Sequence, residues 1–110
     1  MATFIVLVDL TKQGMSKIKD TARRADAFVQ TAKAAGAEVK DLYWTIGKHD
    51  GVLIFDAPDD ETAAALLLKL GSHGDVRTDT LRAFGRAEIK SILTKMNKKS
   101  AKSAPKKKQK

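Results

Sequence analysis

His49 and Asp50 are the chain's one neighbouring imidazole and carboxylate. Imidazole titrates near neutral pH and a carboxylate can orient it, so the pair has the chemistry of a general base. A structural or solvent-facing turn is the plainer reading, because adjacent side chains in a turn often point apart. His73 sits in Ser72-His73-Gly74, a loop by composition. His49 and His73 could in principle join Asp50 or Asp75 around a metal, but nothing in their spacing forms a ligand pair on one helix face. No metal and no cofactor are expected. Trp44 and Tyr43 are the chain's single tryptophan and tyrosine, and a strand would send them to opposite faces. Trp44 is a candidate pocket wall, against the plainer role of core or interface packing. Arg77 and Thr78 head an Arg/Thr alternation that could meet an anionic ligand. The same alternation suits an edge strand that discourages pairing with other chains. Asp59-Asp60-Glu61 reads as helix capping, and no phosphate-cradling loop or nucleophile elbow stands out.

Charge divides the chain in two. Its 110 residues carry 21 basic and 13 acidic side chains, a net +8. Residues 1–93 hold all thirteen acids and thirteen bases, so this body is neutral. The excess lies in residues 94–110 as Lys95, Lys98, Lys99, Lys102, Lys106, Lys107, Lys108 and Lys110. A like-charge block with no aromatic is expected to be disordered. Any nucleic acid or anionic surface would be met through its phosphates, weakly and without regard to sequence. The folded body is therefore not a basic nucleic-acid platform. There is no cysteine, which excludes disulfides, thiolate nucleophiles and cysteine metal sites. The apolar run Phe4–Val8 is too short for a signal segment or membrane span, so no transmembrane segment and a cytoplasmic location are expected.

The elements that must position these residues follow from hydropathy period. Phe4–Val8 and Val52–Phe55 are continuous apolar runs, the pattern of central strands. Residues 38–46 and 75–84 are mixed and suit edges. In the first of these, Leu42, Trp44 and Ile46 are placed on one face, with Val39, Asp41, Tyr43 and Thr45 on the other. One long helix is predicted from a Thr11 cap to Gly36, its stripe running Met15, Ile18, Ala22, Ala25, Val29 and Ala32. A second is predicted from Pro58–Glu61 to Gly71, and a short third over Arg86–Leu93. The order is α+β, a ferredoxin-like βαββαβ unit with an antiparallel four-stranded sheet, a short C-terminal helix and a disordered basic tail. Two helices cover only one face of such a sheet. The other still presents alternate residues of two very apolar strands, and the simplest cover is a second copy through that face.

Gly47-x-x-Asp50, Ala57-Pro58-Asp59-Asp60-Glu61, Leu70-Gly71, Gly74 and Val76-Arg77-Thr78-x-Thr80-Leu81-Arg82-Ala83-Phe84 together resemble the GYD domain family. The opening Phe4-x-Val6-Leu7-Val8-Asp9-Leu10-Thr11 fits as well. The resemblance spans about residues 3–93 and leaves out the tail. It implies a small bacterial or archaeal protein related to the dimeric α/β-barrel superfamily, a homodimer, and no reaction that carries over by residue. Where the family has Tyr before Asp, this chain has His49.

The expected organisation is a GYD-like ferredoxin-fold domain over 1–93 and a Lys-rich tail over 94–110. Three functions fit. The first is a small-ligand-binding or regulatory module with a pocket between helices and sheet. The second is a cofactor-independent enzyme of the dimeric-barrel kind using His49. The third is a nucleic-acid-associated protein working through its tail.

Overall fold

The computed structural model describes residues 1–98. The elements are β1 (Ala2–Leu10), α1 (Lys12–Ser16), a 3₁₀ turn (Ile18–Asp20), α2 (Thr21–Ala34), β2 (Glu38–Trp44), β3 (Gly51–Ala57), α3 (Asp60–Ser72), β4 (Val76–Ala83) and α4 (Arg86–Asn97). The strands form one antiparallel sheet in the order β2-β3-β1-β4. The two continuous apolar runs take the centre and the mixed strands the edges, as hydrophobic coverage requires. This is the ferredoxin-like order.

The core lies between one sheet face and helices α2 and α3. Phe4 stands opposite Phe55 and Val6 opposite Leu53 in the β1–β3 ladder. The two phenyl rings stack with centroids 5.5 Å apart. Ala32 of α2 and Ala63 and Leu66 of α3 close over them, all buried. Helix α3 starts as its acids predict: the Asp59 carboxylate accepts from the Thr62 N–H at 2.7 Å. That bond holds the Asp59 carboxyl below its ordinary range.

The first long helix does not form as one piece. Thr11 caps as expected, its hydroxyl accepting from Gly14 N–H at 3.1 Å. The helix then stops after five residues, and Lys17 leaves helical geometry with φ −110° and ψ 22°. The reason is a tertiary contact. A Cβ on Gly14 would stand 1.9 Å from the Asp75 carbonyl oxygen, and that same oxygen accepts from Thr11 N–H at 3.0 Å. Helix α1 is thereby pinned to the loop before β4, and the chain turns again before α2 can run along the sheet. Met15 and Ile18 are exposed in consequence. The inward stripe is Ala25, Phe28 and Ala32 instead.

Three further boundaries differ. In β2 the register slips between Val39 and Asp41. The bulge at Lys40 puts Val39 and Leu42 on the same face, opposite Phe55 and Leu53, where strict alternation separated them. Strand β4 begins at Val76, because Asp75 is engaged by α1 and α2. Helix α4 runs on to Asn97, so residues 94–97 of the expected tail are helical. The remaining lysines of that tail, from Lys99 on, lie outside the described residues. Among the described residues no helix is long and apolar enough to cross a membrane.

Candidate functional site

Asp75 organises the helix side of the sheet. Among the described residues it is the one charged side chain held out of water, 6% exposed. Burial of a carboxylate is tolerable only when donors surround it. Gln13 Nε2 donates at 2.8 Å, Arg24 forms an ion pair, and Lys17 Nζ stands 3.5 Å away. The Gln13 amide, helped by Arg24 and Lys17 and opposed by burial, holds the Asp75 carboxyl below the ordinary 3.8. The Gln13 amide also reaches His73 O, and the Thr11 hydroxyl donates to Gly74 O. Gly74 makes that loop possible with φ 82°.

Beside this latch, between α2 and the sheet, lies a cavity of about 110 Å³. Val8, Leu10, Phe28, Leu42, Leu53 and Val76 give it an apolar wall, and Thr21, Arg24 and Asp50 supply its polar groups. Trp44 also lines it, half exposed, its Nε1–H donating to the Thr21 hydroxyl at 3.1 Å. The polar groups already have partners. Arg24 is paired with Asp75, and the Asp50 carboxylate accepts from Leu10 N–H at 2.8 Å.

His49 and Asp50 diverge. Asp50 extends the β1–β3 pairing, its own N–H donating to Val8 O at 2.9 Å, and its carboxylate lines the cavity. His49 instead lies with Nδ1 3.1 Å from Asp9 Oδ1, both side chains about one-third exposed or less. The lining of the cavity does not include His49. The turn that separates them is closed by the Thr45 hydroxyl on His49 O at 2.6 Å.

Asp9 belongs to the face without helices. Ladder register places Ile5, Leu7, Val52 and Ile54 at the centre of that face and Leu81 at its β4 edge. Among the described residues the register places Asp9, Glu38, Asp41, Asp56 and Asp79 around them, with Arg77 as the base on that face and Lys40 within 4.0 Å of Glu38 and Asp56. Arg77 is the cross-strand partner of Asp9. Thr78, its neighbour, points to the helix side opposite Val8. The candidate residues thus fall into two groups: Trp44 and Asp50 at the cavity, His49 and Arg77 at one end of the open face. Of the tail lysines, Lys95 and Lys98 are described, and both are exposed. Among the described residues no group of three or more His, Asp or Glu side chains gathers as a metal site.

Sequence reasoning missed Asp75 and Asp9 as organising carboxylates. The available signal for Asp75 was Gly14, a glycine inside a helical pattern, which marks a close backbone approach by something elsewhere. Asp9 carried no comparable mark.

The chain resembles a "Glutamine synthetase and cystathionine beta-lyase binding protein" of Thermus thermophilus. The two are 34% identical over 90 residues, which is 81% of this chain and 95% of that protein. No solved structure gives a significant match. The family model of the GYD domain matches residues 4–93, from the first central strand to the middle of α4. This chain belongs to the GYD domain family.

Proposed function

We propose that this chain is a cytoplasmic regulatory binding module whose copies pair through the open sheet face and whose pair engages partner proteins. One observation carries the reading. The open face has an apolar centre built from the two central strands, with Leu81 49% exposed at its edge, and a contiguous patch of that kind marks an interface. The Thermus relative, named for binding two enzymes, supports protein partners. The cavity lined by Trp44 and Asp50, of about 110 Å³, falls below the roughly 300 Å³ at which small-molecule pockets begin, so that cavity would admit a guest of only a few heavy atoms.

Surface plasmon resonance tests this with the full chain immobilised. Glutamine synthetase and cystathionine β-lyase from the same source are flowed over it separately. Saturable binding of at least one enzyme is expected, weakened at least tenfold by Ile54→Lys. Absence of binding to both overturns the partner assignment. Binding untouched by Ile54→Lys overturns the part given to the sheet face.

A further inference from the structure

No residue of helix α4 is buried against its own domain. Its N-terminus is fixed by Glu88, whose carboxylate accepts from Gly85 N–H at 2.9 Å and pairs with Arg82 at 3.6 Å. The Arg82 guanidinium in turn lies over the rings of Phe84 (4.4 Å) and Phe4 (5.7 Å). With only Phe84 and Gly85 between β4 and α4, this knot sets the direction of the helix. Beyond it, Ile89, Ile92, Leu93 and Met96 are spaced to form one stripe, and they are 43%, 37%, 45% and 70% exposed. Helices of about 12 residues are marginal in water without packing, and α4 has 12 residues, none of them buried.

We propose that α4 is a clasp: in a pair of copies, its apolar stripe packs along an edge of the other copy's open sheet face, beside the facing sheet, and not on its own domain. The proposal rests on the pairing reading above and adds to it. Charge favours this occupant. Helix α4 carries Arg86, Lys90 and Lys95 against the single acid Glu88, whereas acids outnumber bases around the open face. Size allows it too. Four strands about 4.8 Å apart and about seven residues long project roughly 450 Å². A 12-residue helix, about 18 Å long and about 10 Å wide, projects roughly 180 Å², so it can lie along one edge of the face and leave the rest to the facing sheet.

The absence of cysteine makes trapping clean. Full-length chain carrying only Ile92→Cys is mixed with full-length chain carrying only Leu81→Cys, or only Tyr43→Cys, at the two exposed edges of the face. Under mild oxidation a disulfide between the different chains is expected for at least one mixture. In parallel, Ile92→Lys with Leu93→Lys is expected to weaken pairing at least tenfold by sedimentation. Its far-UV circular dichroism should remain that of a folded domain, since neither side chain belongs to the buried core. Pairing as tight as the unaltered chain's, or no disulfide in either mixture of paired chains, overturns the clasp and leaves the sheet pairing standing. An unaltered chain that is monomeric throughout overturns both.

Discussion

The two faces of the sheet are made from the same strands and nearly the same residue types, yet they have different fates. On the helix side Phe4, Val6, Leu53, Phe55 and Ala57 are between 0 and 7% exposed. One residue along, Ile5, Leu7, Val52 and Ile54 remain partly open, and Leu81 of β4 on the same face is 49% exposed. Hydrophobicity does not distinguish them. What differs is the cover, since two helices are long enough to seal one face and nothing in the described chain seals the other. The difference teaches that an apolar run specifies a need for burial, while the topology decides whether the chain itself can meet it.

If that contrast is right, deletions on the two faces must differ in size. Phe55→Ala is expected to have the largest effect, about 3–5 kcal/mol lost, because the side chain is fully buried and stacked on Phe4. Urea unfolding measures it. Ile54→Ala, the neighbouring residue on the open face, should cost only about 1 kcal/mol at concentrations where the chain is unpaired. Equal losses at the two positions would break the comparison.

Between these extremes lies the latch that aims α1. Gly14→Ala is expected to cost about 1–3 kcal/mol, as insertions into tight packing do, since its methyl group would meet the backbone carbonyl of Asp75. An effect near zero by the same urea assay would show that α1 does not depend on this contact.

Acid tests the carboxylate of the same latch. The Asp75 carboxyl is held below its ordinary 3.8 in the folded chain, so the unfolded chain takes up its proton first as pH falls. Its contribution is therefore complete above about pH 5 and disappears as pH drops through the lowered folded value. Asp75→Asn should lower the thermal midpoint at pH 7. It should also flatten the midpoint's decline between pH 4 and pH 2, read by circular dichroism at fixed salt. A decline parallel to the unaltered chain's would assign acid sensitivity to other carboxylates, Asp59 and Asp20 first.

Much of this architecture is legible in the residues. The runs Phe4–Val8 and Val52–Phe55 announce central strands, and Pro58-Asp59-Asp60-Glu61 announces α3, because those signals are local. The break at Lys17 is not local. It follows from where Asp75 lies, and only the single Gly14 hints at it. The bulge at Lys40 is likewise set by the β3 ladder and not by β2's own residues. Adjacency misleads at His49 and Asp50: the turn sends one to Asp9 and the other to Leu10, so partners forty residues away decide what the two side chains do. The length of α4 was hidden by its lysines. Met96 continues the apolar stripe of Ile89, Ile92 and Leu93 past Lys95, the charge that reads as the start of a tail.

The most direct test of the account is sedimentation equilibrium of the unaltered full chain across the micromolar range, beside Ile54→Lys. The account predicts a species of twice the 12.0 kDa chain mass for the unaltered chain and a single chain mass for Ile54→Lys. A single chain mass for the unaltered protein at every concentration would contradict it.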